Sequence, residues 1–127
     1  MSEVVLDASA ILALLNEEPG SEEVLKFIGK AAISTVNLSE VIAKLADAGI
    51  PENDIILIIN NLNIEVIDFN EEQALKAGIL RPITKSMGLS FGDRACLALA
   101  IFLNQPVLTT DRLWSNISIG VEVRILR

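Results

Sequence analysis

A chain of 127 residues with 51% apolar side chains has room for one hydrophobic core and not for two. It contains no histidine, which excludes imidazole bases and imidazole metal ligands, and its single cysteine, Cys96, therefore lacks the usual activating partner of a catalytic thiol. A net charge of −7 argues on its face against a phosphate-rich partner.

The average charge hides a division. Residues 1–75 carry three basic and fourteen acidic groups, whereas residues 76–127 carry seven basic and three acidic ones. Two of those three acids, Asp93 and Asp111, are flanked along the chain by Arg81, Lys85, Arg94 and Arg112.

Taken from the N-terminus, Val4-Val5-Leu6 predicts a short strand ending at Asp7, and residues 8–16 then read as helix up to the break at Pro19-Gly20. The start at Met1-Ser2-Glu3 lacks the basic and long apolar regions of a signal peptide. A second helix is expected from Ser21 to about Ile28, then a strand over 32–34. Asn37 is read as the cap of a helix that runs to Ala48 and stops at Gly49 and Pro51. Ile55, Ile58, Ile59 and Leu62 follow a helical period after Pro51, and Ile64 to Ile67 reads as strand. Residues 71–87 read as a helix interrupted by Pro82, followed by a strongly apolar helix from Phe91 to Leu103. Residues 106–109 predict a strand, Asp111 to Ser115 a helical turn, and Val121 to Ile125 a last strand.

Short apolar strands alternating with helices predict an α/β fold, a parallel sheet covered on both faces, as one domain over residues 1–127. No apolar run approaches the ~18 residues of a membrane span. Cys96 sits in the apolar run Ala95-Cys96-Leu97-Ala98-Leu99, so it is expected as a buried core thiol in a reducing, cytoplasmic setting. The large apolar share is accounted for either by a well-filled core or by apolar surface buried against a partner.

Four acids, Asp7, Glu40, Asp93 and Asp111, stand where the chain leaves a strand or enters a helix. Each has an ordinary explanation. Asp7 and Asp111 have the position of N-caps, and Glu40 and Asp93 lie three residues after Asn37 and Ser90, as in a capping box. Collectively they fall on the sheet edge where strand carboxyl ends and helix amino ends meet and where ligands bind. Carboxylates gathered there without a counter-ion would repel, so a carboxylate-held Mg2+ or Mn2+ is the economical chemistry. Asp68 also follows a strand, but Glu71 and Glu72 beside it suggest a solvated helix start at the sheet's rim.

Asp7-Ala8-Ser9-Ala10, Asn37-Leu38-Ser39-Glu40-Val41, the segment Gly88 to Ala100 and Leu108-Thr109-Thr110-Asp111-Arg112-Leu113-Trp114 together resemble PIN-domain ribonucleases, specifically VapC-type toxins of toxin-antitoxin pairs. The third motif is specific, and four in order are strong. The resemblance implies a three-layer α/β/α sandwich with a parallel sheet of about five strands. It implies an Mg2+- or Mn2+-dependent endoribonuclease acting on RNA, a homodimer, and inhibition by a VapB-type antitoxin. Carried onto this chain, it makes Asp7, Glu40, Asp93 and Asp111 the metal-binding and catalytic acids, with Ser9 and Thr109 as supporting hydroxyls. Arg81, Arg94 and Arg112 are then candidates for phosphate contacts, or Arg81 and Arg94 for bracing the carboxylates. Two alternatives stand beside it: a doubly wound phosphoryl-transfer domain with Asp7 as nucleophile, and a non-enzymatic interaction module in which the acids are only caps.

Overall fold

A computed structural model describes residues 2–127. Val4–Leu6 forms β1, buried at every residue, because its apolar side chains meet helices on both sides of the sheet. Val4 and Leu6 join one core cluster and Val5 the other, the alternation expected of a pleated strand.

In chain order, β1 is followed by α1 (Ala8–Leu15), α2 (Ser21–Leu25), β2 (Ala31–Ser34), α3 (Thr35–Asp47), α4 (Glu52–Asn61) and β3 (Glu65–Ile67). Then come α5 (Glu71–Ile79), α6 (Arg81–Thr84), α7 (Phe91–Leu103), β4 (Val107–Thr109) and β5 (Val123–Ile125). Two 3-10 turns, Lys85–Met87 and Arg112–Asn116, complete the described elements.

The strands form one sheet in the order β3-β2-β1-β4-β5, every neighbouring pair parallel. β1 lies at the centre, so the chain winds outward first through β2 and β3 and later through β4 and β5. The order reverses between β1 and β4, and that reversal opens a crevice at the carboxyl ends of the two strands. Residues of α1, α2, α3 and α4 pack with Val4, Leu6, Ile33 and Leu108 on one face. On the other face Leu97, Leu99 and Cys96 of α7, together with Leu80 and Trp114, pack on Val5 and Val107. The α/β sandwich with a five-stranded parallel sheet is therefore as expected, and Asp68 does follow a rim strand, β3.

Several local expectations are corrected. Helix α3 starts at Thr35, two residues before Asn37, because Ser34, the last residue of β2, has extended backbone and accepts the Val36 N–H on its hydroxyl. Thr35 and Val36 are β-branched and disguise that start. The second helix is shorter than its pattern, ending at Leu25. In 71–87 the break falls at Leu80, ahead of Pro82, and Pro82 occupies the first turn of α6, where no N–H is needed. The last strand is trimmed to Val123–Ile125. Helix α7 has the expected bounds. Among the described residues no helix is long and apolar enough to cross a membrane.

Candidate active site

The site is built from helix starts. Asp7 leaves β1 in extended conformation and caps α1, accepting the Ala10 N–H on Oδ1 at 2.9 Å. The Ser9 hydroxyl donates to the same oxygen at 2.7 Å, and the Thr109 hydroxyl donates to Oδ2 at 2.6 Å. These hydroxyls are themselves held by backbone just after β4: Thr110 N–H donates across the crevice to Ser9 Oγ and Asp111 N–H donates locally to Thr109 Oγ1, each at 3.0 Å. The ends of β1 and β4 are thus laced together around one buried carboxylate. Burial pushes the Asp7 pKa up to about 6, and the charge of Asp93 pushes in the same direction against the three hydrogen bonds.

Asp93 lies in the first turn of α7 in a reciprocal capping box. Ser90 Oγ accepts the Asp93 N–H at 3.2 Å, while Asp93 Oδ2 accepts the Ser90 N–H at 2.8 Å. Desolvation raises its pKa, aided by the charge of Asp111. Asp111 caps the 3-10 turn Arg112–Asn116 by accepting the Leu113 N–H at 2.9 Å. For these three acids the cap reading holds, and capping fixes each carboxylate at a positive helix start on the sheet edge formed by strand carboxyl ends.

Glu40 is different. With α3 starting at Thr35, it lies in the second turn and caps nothing. Asn37, 1% exposed, splits its amide between Glu40 Oε1 at 2.8 Å and the Gly92 carbonyl at 2.9 Å, which carries Glu40 against the first turn of α7. Sequence reasoning placed Asn37 as a cap and missed this bridge, because its partner lies on a remote helix. Cys96, fully buried beneath the cluster, has its thiol pKa raised well above the usual range by burial and by the charges of Asp7, Asp93 and Glu40.

The four acids therefore share one electrostatic neighbourhood, and none of them is in an ion pair among the described residues. No three of them, among the described residues, stand close enough to enclose an ion as a ready-made cage. Hydrogen bonds hold each carboxylate in place: Asp7 from α1 and β4, Glu40 from Asn37, Asp93 from Ser90 and Asp111 from Leu113. In kind, an all-oxygen, uncompensated donor set fits Mg2+ or Mn2+. In number it suffices too, because Mg2+ keeps several waters and takes only one or two carboxylates directly.

The basic residues are disposed differently from the acids. Arg94 is turned to structure: its Nη1 donates to the Ala77 carbonyl at 2.9 Å and its guanidinium lies 5.8 Å from the Phe91 ring centroid, so it ties α7 to α5. It braces no carboxylate. Arg112 donates from Nε to the Arg127 carbonyl at 2.8 Å, and Arg81 is exposed.

With this geometry in place, comparison with known proteins is decisive for the family. The sequence profile of the PIN domain family matches residues 4–119. This chain belongs to the PIN domain family. Among solved structures, the PIN domain is similar to a DNA-bound VapBC complex from Salmonella typhimurium, with a TM-score of 0.78 at 20% identity and 100% of both chains covered. It is also similar to VapBC2 from Rickettsia felis bound to a promoter DNA fragment, with a TM-score of 0.74 at 21% identity and 98% of each chain covered. VapBC-1 from nontypeable Haemophilus influenzae gives a TM-score of 0.74 at 21% identity, with 97% of each chain covered. At such identities the likeness shows the shared fold. No curated protein is significantly similar in sequence.

Proposed function

We propose that this PIN domain is a divalent-metal-dependent endoribonuclease and the toxin of a VapBC-type toxin-antitoxin pair, working in the cytoplasm. The observation that supports this reading is the charge influence that links Asp7, Asp93 and Asp111 to one another and Asp7, Asp93 and Glu40 to Cys96, with no cationic partner for these acids among the described residues. Asp7, Glu40, Asp93 and Asp111 would hold Mg2+ or Mn2+. Such an ion, when bound, supplies charge that activates a water for attack on a phosphodiester and stabilises the leaving oxygen. The chain's own part is placement. Ser9 and Thr109 fix both oxygens of Asp7, the capping box fixes Asp93, and Asp111 holds the third helix start. Arg81, Arg94 and Arg112 would guide RNA phosphate toward an otherwise acidic edge.

A phosphoryl-transfer role for Asp7 fits less well. A phosphatase nucleophile of that class is paired with a second Asp two residues on, and Ser9 stands there.

Two apolar faces support the two protein contacts. Leu75, Ile79 and Ile83 are exposed at four-residue intervals along α5 and α6, a flat stripe suited to a second copy of the chain. On the opposite face of the sheet, Ile42, Ala46, Ile50 and Ile55 line a concave groove of about 360 Å3 beside exposed Ile56 and Leu57, a shape suited to an inserted antitoxin segment.

The test is expression of wild type beside Asp93→Asn, with sequencing of RNA ends in each culture and cleavage assayed in vitro with Mn2+ and with EDTA. New RNA ends from wild type alone, lost with EDTA, are expected. Equal cleavage by Asp93→Asn would remove the metal-site assignment. Absence of cleavage by wild type, with normal growth, would favour a non-enzymatic module.

A further inference from the structure

One residue beside Glu40 has no side chain. Gly92 immediately precedes Asp93 and is buried in the first turn of α7. A Cβ built on it would overlap the Glu40 carboxylate, falling 2.6 Å from Cδ and 2.7 Å from Oε1, with Oε2 nearer still. The position has no positive φ and no turn that calls for glycine. Its neighbour in space explains it: the bare Cα is the floor on which Glu40 rests.

Asn37 supplies the other wall. Its Nδ2 faces two acceptors, Glu40 Oε1 and the Gly92 carbonyl, so the amide has one workable orientation. That orientation leaves Asn37 Oδ1 buried without a hydrogen-bond partner. A buried polar atom left unpaired is costly, so the orientation that serves Glu40 and the Gly92 carbonyl is held at the expense of Oδ1.

We infer that Asn37 and Gly92 form a seat that positions Glu40 against Asp93 for cation binding, Gly92 by having no side chain and Asn37 by fixing the carboxylate to the α7 backbone. Both are positioning residues, and the inference rests on the metal reading above. Without the seat, an exposed glutamate on a long flexible side chain samples solvent, and its share of any coordination carries an entropic cost.

Gly92→Ala isolates the effect. Alanine is the better helix former, and the atoms it displaces are the far end of a flexible side chain, so α7 should fold and the melting temperature should hold or rise. The probe is Mn2+ alone, titrated calorimetrically into wild type, Gly92→Ala, Glu40→Ala and the double variant. Seat residues of this kind typically change metal affinity by about 10- to 100-fold. Gly92→Ala is expected to weaken Mn2+ binding about tenfold or more, and the double variant to bind no worse than Glu40→Ala, because the new methyl then has no carboxylate to displace. Wild-type Mn2+ affinity in Gly92→Ala, or losses that simply add in the double variant, would overturn the seat while leaving the metal reading intact. No Mn2+ binding by wild type would overturn the metal reading and the seat with it. Should Gly92→Ala melt early, Asn37→Ser tests the same seat from the other wall: weakened Mn2+ binding by the folded variant is expected, and unchanged binding overturns it.

Discussion

At Asp7 a single buried carboxyl ties stability to pH. Burial holds its pKa near 6, above the ordinary carboxylate value of 3.8, so between those values the folded state binds more protons than the unfolded one. Stability contributed by this group is complete below about pH 4 and lost as pH rises through 6, a difference of about 3 kcal/mol at most. Asp7→Asn is therefore expected to be more stable than wild type at neutral pH, with the gap closing on acidification in urea titrations. Mn2+ should reverse the order, raising the melting temperature of wild type and leaving Asp7→Asn unmoved. A gap independent of pH would show that the buried charge is compensated. Residues such as Asp7 and Asp93 were legible as site candidates because each stands at a strand end or helix start. Asn37 was legible only as a polar residue near such a start, since its role is defined by the carbonyl of Gly92, 55 positions away.

At the scale of the element, α7 illustrates why some boundaries could be read and others could not. Ser90, Asp93 and the unbroken apolar run behind them all specify the same helix, and it spans Phe91–Leu103 as expected. For α3 the signals conflict: β-branched Thr35 and Val36 continue the pattern of β2, and Asn37 offers a plausible later cap, yet Ser34 already closes the strand and caps the helix. The choice moves Glu40 from the first turn to the second and so from cap to partner of Asn37. Because the α7 cap also anchors Asp93, Ser90→Ala should lower stability by about 1 kcal/mol and weaken Mn2+ binding together. Thermal melts and cation titration on the same sample check this, and loss of stability with undiminished binding would separate the cap from the site. Arg94 belongs to this scale as well: a cation next to an acid in sequence suggests phosphate or carboxylate contact, and packing commits one of its nitrogens, Nη1, to the Ala77 carbonyl on α5.

For the molecule as a whole, the apolar share divides between two cores and two uncovered faces. Leu75 is 68% exposed and Ile79 59%, which is more apolar surface than the fold needs for its own core. Covering that stripe by a second copy predicts that Ile79→Glu yields a monomer in sedimentation while keeping the native melting curve; an unchanged oligomeric state would assign the stripe elsewhere. The amino-acid sequence by itself determined the α/β class, the alternation of strands and helices, and the four acids at their ends, because period, capping and turn chemistry act over a few residues. Only the tertiary structure decided that β1 lies between β2 and β4, that Thr109 reaches Asp7 from across the crevice, and that Glu40 rests on Gly92. Those facts depend on which surfaces meet when two cores close on one sheet, and distance along the chain carries no information about that meeting.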